Sequence, residues 1–219
     1  MGLSDGLLGT DWHRLLRAEF ATPYWTALER FVDQARASGV VYPSPQDAFA
    51  AFHATPYRLT RAVIVGQDPY HNGQAHGLCF SVREGKPPHS LRVILAELLD
   101  DVRVRATTTN LGAWAKHGVL LLNATLTVAS GSPRSHVDEG WELFTDGVIS
   151  RLDAKETPVA FNLWGDAAKS KWSLISDQHP VIDAPHPAAW GYAFRKSKPF
   201  SRTDEALECR GAARIVWDL

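Results

Sequence analysis

The chain has 219 residues, 45% of them hydrophobic and 21% charged, and a formal net charge of −1. That length supports one domain with a sizeable core, the composition is that of an ordinary soluble globular protein, and the near-zero charge excludes a protein that coats nucleic acid by charge alone. Two cysteines, Cys79 and Cys209, exclude a disulfide framework and lack metal-ligand spacing.

The first ten residues lack a basic-then-apolar signal pattern, and no apolar run reaches the length of a membrane span, so a cytoplasmic setting is expected. Residues 1–11 read as a short tail. Trp12, Leu15, Leu16 and Phe20 then follow helical spacing, as do Trp25, Leu28, Phe31 and Val32 after Pro23, which suits a helix start. Pro43-Ser44-Pro45 marks a loop, and residues 46–53 fit a short helix. Residues 61–66 form the first strong strand pattern, rich in β-branched residues. A helix is predicted over 89–102 with Ser90 as its cap, another over 111–117 stopped by Gly118, and a strand over 119–123. Residues 139–152 read as a helix despite Gly147, 159–164 as a strand, 167–176 as a helix, 181–184 as a strand before Pro185, and 201–208 as the last helix. Strands separated by helices predict an α/β fold: a single domain over residues 1–219 with a central, mostly parallel four-stranded sheet flanked by helices.

Just past the first strand lies Gly66-Gln67-Asp68-Pro69-Tyr70-His71. Loops at the carboxyl ends of strands are where open α/β sheets place ligands, and a carboxylate before a proline has restricted backbone freedom. Read alone, this is equally an ordinary turn with a structural Asp. The six residues resemble the water-activating loop of family 1 uracil-DNA glycosylases. The similarity continues in order through Gly73 to Val82, Pro87-Pro88-His89-Ser90-Leu91, Gly118 to Asn123, Ser135-His136 with Gly140-Trp141-Glu142, Leu163-Trp164-Gly165, His186-Pro187 and the terminal Ile215 to Leu219. It covers essentially the chain from Trp12 onward.

The resemblance implies a monofunctional hydrolase that needs no metal or cofactor. It flips uracil out of single- or double-stranded DNA, because the bond to deoxyribose is inaccessible within the stack. Asp68 is then the group that activates water, and His186, in Ala184-Pro185-His186-Pro187, donates to the base oxygen as it takes negative charge. Asn123 ends an apolar strand, where an amide is out of place unless paired. One donor and one acceptor match the N3–H and O4 edge of uracil, and cytosine presents the opposite pattern. Tyr70 is implied as a wall against the thymine methyl, Phe80 as the stacking face, and Gln67 as a pocket lining through its backbone. For the two aromatics, core packing is the alternative.

The expected DNA contacts are His71, Pro87, Pro88, Ser90, Gly165, Ala188, Trp190 and Arg195. Residues 166–202 carry Lys169, Lys171, Arg195, Lys196, Lys198 and Arg202 against Asp166, Asp177 and Asp183, so a local basic face is compatible with the low net charge. The chain departs from the family's pattern here. Ala188 and Asp166 stand where the family places serines that grip phosphates, and Trp190 where it places a leucine wedge. The second functional reading is therefore a uracil-DNA-binding protein with reduced or lost turnover. A third is a metal hydrolase using Asp68, His71 and His76, whose spacing matches no strong metal motif. A DNA-mimicking protein inhibitor is a plausible partner on the same resemblance, and a monomer is expected.

Overall fold

The computed structural model describes residues 2–219, the side chain of Tyr192 apart. In chain order the strands are Val41–Tyr42 (β1), Ala62–Gly66 (β2), Val119–Asn123 (β3), Val128–Ala129 (β4), Ala160–Trp164 (β5) and Val181–Ala184 (β6). The α-helices are Asp11–Leu15 (α1), Pro23–Ser38 (α2), Ala50–Ala54 (α3), His89–Val102 (α4), Gly112–Lys116 (α5), Trp141–Asp153 (α6), Asp166–Lys169 (α7) and Pro199–Glu208 (α8).

The main sheet has the order β3-β2-β5-β6 and is parallel throughout. Strands β2, β3 and β5 are buried at every position. Such strands read as continuous Val, Leu and Ile runs because helices cover both faces of a parallel sheet. The chain leaves β2 for β3 on one side and β5 for β6 on the other. The crevice between the carboxyl ends of β2 and β5 is therefore the switch point at which α/β sheets bind ligands.

Helix α4 shows how the flanking layer is held. Leu91, Ile94 and Leu98, spaced three and four apart, are 0% exposed, and fully burying each contributes roughly 1.5–3 kcal/mol. Its N-cap is Pro88, without a side-chain cap bond. Ser90, expected as the cap, lies inside the helix and turns its hydroxyl to Tyr70. On the other side of α4, Glu97 accepts the N–H groups of Lys196 and Lys198, and Asp101 accepts those of Phe200 and Ser201. The open N-terminus of α8, led by Pro199, is thus satisfied by a carboxylate from another helix.

Several expectations change. The opening residues form a 3₁₀ turn, Leu3–Leu7, with Leu7 buried in the core and Leu3 N–H donating to Glu29, instead of a loose tail; Met1 lies outside the described residues. The helix expected from Trp12 to Phe20 breaks after α1, and Thr22 caps a fresh helix with Pro23 in its first turn. The stretch 167–176 divides into α7 and a 3₁₀ turn, Trp172–Leu174. Strands β1 and β4 form an antiparallel ribbon that was not expected. Among the described residues no helix is long and apolar enough to cross a membrane.

Candidate active site

A cleft at the switch point is lined by Gln67, Asp68, Tyr70, His71, Phe80, Ser90, Asn123 and His186. These come from five different segments of chain, and each was expected from the sequence as a site residue. Ala75, Gly77, Leu78 and Pro133 complete the lining.

Asn123 closes β3 directly opposite Gly66 of β2. A Cβ at Gly66 would lie 2.4 Å from Asn123 Oδ1 and 3.1 Å from Cys79 Cβ. Glycine is thus required for the amide to turn into the cleft. The Asn123 side chain is 8% exposed and makes no hydrogen bond among the described residues. A buried amide left unpaired is costly unless a ligand completes it.

Phe80 has φ +58°, a left-handed conformation that costs roughly 1–2 kcal/mol for a residue with a Cβ. The ring sits 5.7 Å from that of Trp164 and 5.8 Å from that of His186. Such strain persists only where the surroundings over-determine it, as at ligand clamps. Tyr70 donates to the carbonyl of Phe80 at 3.1 Å, and Ser90 supplies its hydroxyl proton to the Tyr70 oxygen at 2.9 Å. Burial pushes the Tyr70 phenol well above its usual range, so it stays a donor at neutral pH.

Asp68 Oδ2 accepts the main-chain N–H of Arg134 at 2.8 Å. His186 Nδ1 accepts the main-chain N–H of Ala188 at 3.0 Å. Burial holds the His186 imidazole below its usual value, with the Asp68 carboxylate pulling weakly the other way. Gly165 has φ +92°, and a Cβ there would stand 2.8 Å from His186 Cβ. Its main role in the fold is close packing against the histidine loop. The structure therefore brings together a carboxylate, a neutral imidazole and an unpaired amide around one aromatic face.

The expected DNA-contact residues are placed less uniformly. His71 reaches the cleft, with its buried Nδ1 unpaired. Pro87 and Pro88 are half-buried and lead into α4. His89 faces Ala188, Ala189, Trp190 and Gly191 across a shallow depression. Trp190 is 98% exposed. The Ser90 hydroxyl is engaged by Tyr70, and Ala188 acts through its main chain. Arg195 is paired with Asp100 and stands 3.7 Å from Glu97, both on α4. Lys169 and Arg202 flank Asp183, and Lys171 pairs with Asp146. The basic face expected over 166–202 is thus largely neutralised by partners within the fold. His76, considered with Asp68 and His71 for a metal, is buried and bonded to Ser81.

Sequence reasoning missed Arg134. It occupies a second cleft with Gln67, Gly165, Asp166 and His186, contiguous with the first. The sequence carries no signal for it, because its contact to Asp68 is made by a main-chain N–H.

The sequence matches the model for the Uracil DNA glycosylase superfamily over residues 52–208. It is 46% identical to a uracil-DNA glycosylase of Geobacillus sp., over 97% of this chain and 98% of the relative. It is 43% identical to uracil-DNA glycosylase 2 of Streptomyces coelicolor, over 97% of this chain and 96% of that one. In fold it is similar to mimivirus uracil-DNA glycosylase, with a TM-score of 0.92 at 23% identity, covering 100% of this chain and 90% of the viral one. A mimivirus UNG variant solved in complex with UGI superposes with a TM-score of 0.91 at 23% identity, over 100% of this chain and 92% of that one.

Proposed function

This chain belongs to the uracil-DNA glycosylase superfamily, and from that premise we propose how its own residues divide the work. The protein is a DNA glycosylase, a hydrolase that releases uracil from uracil-containing DNA. The observation that carries the division of roles is the unpaired Asn123 amide facing the same cleft as Asp68 and the neutral His186.

A flipped uracil lies against Phe80. The Asn123 amide donates to O4 and accepts from N3–H, completing its own unmet bonds. Cytosine would leave both groups mismatched, and a site built for one pattern rejects its alternative by about 10⁴-fold or more. The Tyr70 ring, fixed by Phe80 and Ser90, occupies the space a C5 methyl would need. As the glycosidic bond breaks, charge grows on the base oxygen and the sugar becomes oxocarbenium-like. His186 keeps its proton on Nε2, because Nδ1 is already an acceptor, and donates it as a hydrogen bond to the developing oxyanion. One Asp68 oxygen is held by Arg134 N–H. The other orients the water that attacks the sugar and takes its proton, while the carboxylate stabilises the positive charge.

Trp190 acts as the wedge that fills the space the base leaves. The hydrophobic cluster, running from Leu7 to Trp217, supports reading the chain as one domain. The free thiols of Cys79 and Cys209 support a reducing cytoplasm. The complex with UGI formed by the viral relative supports a DNA-mimicking inhibitor as a partner here, and a monomer matches a site built from a single chain.

The test is release of free uracil from matched single-stranded, U:A and U:G oligonucleotides, in buffer containing EDTA. Tight binding without release would favour the alternative of a uracil-DNA reader. Activity abolished by EDTA and restored by a divalent cation would overturn the metal-free mechanism.

A further inference from the structure

Arg134 carries two features that the uracil chemistry leaves unused. It is the third residue of Ser132-Pro133-Arg134-Ser135, a turn closed by Ser135 N–H on the Ser132 carbonyl at 3.3 Å. Its φ is +63°. A turn with Pro second and positive φ third calls for Gly or Asn at that place, and a long side chain there is disfavoured. The backbone alone therefore gives no reason for arginine. The turn is itself held from outside, since Ser135 Oγ accepts the Ala129 N–H at 2.9 Å and the Arg134 N–H donates to Asp68 at 2.8 Å.

The Arg134 side chain is exposed and in no ion pair or hydrogen bond among the described residues. Lys169, Lys171, Arg195 and Arg202, by contrast, are all paired. Arg134 lines the cleft that joins the uracil pocket at Gln67 and His186 and that also holds the exposed carboxylate of Asp166. An unpaired guanidinium at the mouth of a site for a polyanion suits bidentate contact with a phosphodiester.

We propose that Arg134 grips a phosphate of the substrate strand beside the flipped nucleotide. In doing so it offsets the repulsion of Asp166, and its main-chain N–H ties that grip to Asp68. This rests on the reading of the site as one that acts on uracil in DNA, which uracil release by the unaltered protein checks separately.

The experiment compares Arg134→Gly, Arg134→Lys and the unaltered protein on a single-stranded uracil oligonucleotide across a salt series. Glycine suits the positive φ and keeps the N–H to Asp68, so folding is preserved. The glycine variant should show a raised KM, a much smaller change in kcat, and a salt slope of log(kcat/KM) reduced by about 0.7, the value of one lost phosphate contact on a single strand. Lysine should restore most of the slope. An unchanged slope in the glycine variant would overturn the proposal, because it would show Arg134 serving only its turn or pairing with Asp166. A loss confined to kcat would likewise overturn it and leave only the main-chain contact to Asp68.

Discussion

The main-chain N–H of Ala188 donates to Nδ1 of His186 across 3.0 Å. A nitrogen that accepts from an amide carries no proton, so the proton sits on Nε2. Burial keeps the ring neutral at ordinary pH. A hydroxyl at position 188 is not needed for this arrangement, because the donor belongs to the backbone.

The pH dependence follows in sign. The folded value of His186 is depressed, so the unfolded chain takes up a proton first as pH falls through about 6.5. Stability is full above that value and is lost as pH drops toward the folded value. His76 and His136 act in the same direction, each lowered chiefly by burial. Urea midpoints measured from about pH 7.5 down to about 5 should fall, and a His186→Asn variant should show a shallower fall. That variant should also lose about 10²–10³-fold in kcat with its oxyanion donor. A midpoint profile parallel to that of the unaltered protein would remove His186 from the titration.

Asp68→Asn should keep affinity for uracil-DNA, because an amide oxygen still accepts from Arg134 N–H. It should lose about 10²–10⁴-fold in single-turnover rate, because an amide takes no proton from water. Near-normal turnover would assign water activation elsewhere.

Gly66→Ala tests the packing beneath the Asn123 amide. The new Cβ would meet Asn123 Oδ1 at 2.4 Å and Cys79 Cβ at 3.1 Å. Overpacking of this kind typically costs about 1–3 kcal/mol. The larger effect should be on KM for uracil, as Asn123 swings out of place. Equal kinetics in a folded variant would show that the amide has room to spare.

Asn123→Asp should trade uracil for cytosine. A protonated carboxyl donates to cytosine N3 while its other oxygen accepts from the exocyclic amine. The readout is free cytosine from a uracil-free oligonucleotide. Unchanged uracil release with no cytosine would take Asn123 out of base reading.

Trp190→Ala should harm duplex substrates far more than single strands, since only a duplex has a hole to fill. Aromatic stacking on a base is worth about 1–3 kcal/mol, or roughly five- to 150-fold in kcat/KM on U:A. Losses of equal size on both substrates would assign the exposed indole another task.

Much of this was legible because it is local. The strands 62–66 and 119–123 announce themselves by continuous apolar runs, and α4 by its buried stripe. Asp68 and Asn123 were legible because they stand at the ends of those strands, whereas Phe80, Ser90 and His186 were legible only through the family resemblance. Pairings between distant segments were not legible. Arg195 looked free to meet a phosphate, yet Asp100, far back in the sequence, holds it. Ser90 looked like a helix cap, yet Tyr70 claims its hydroxyl. Two-residue strands such as β1 and β4 have no periodicity to read. Arg134 was hidden because nothing in the sequence shows a main-chain N–H turning toward Asp68.

The carboxylates of Glu97 and Asp101 hold the segment after Trp190 by its amide groups at positions 196, 198, 200 and 201. Those contacts are made by main-chain amides well away from position 190, so this fastening does not depend on which side chain stands at the tip of the loop. Natural drift or deliberate redesign can therefore rewrite the tip of the loop at Trp190 while the path of the segment behind it stays fixed. The acids on α4 thus leave the side chain at position 190 exchangeable.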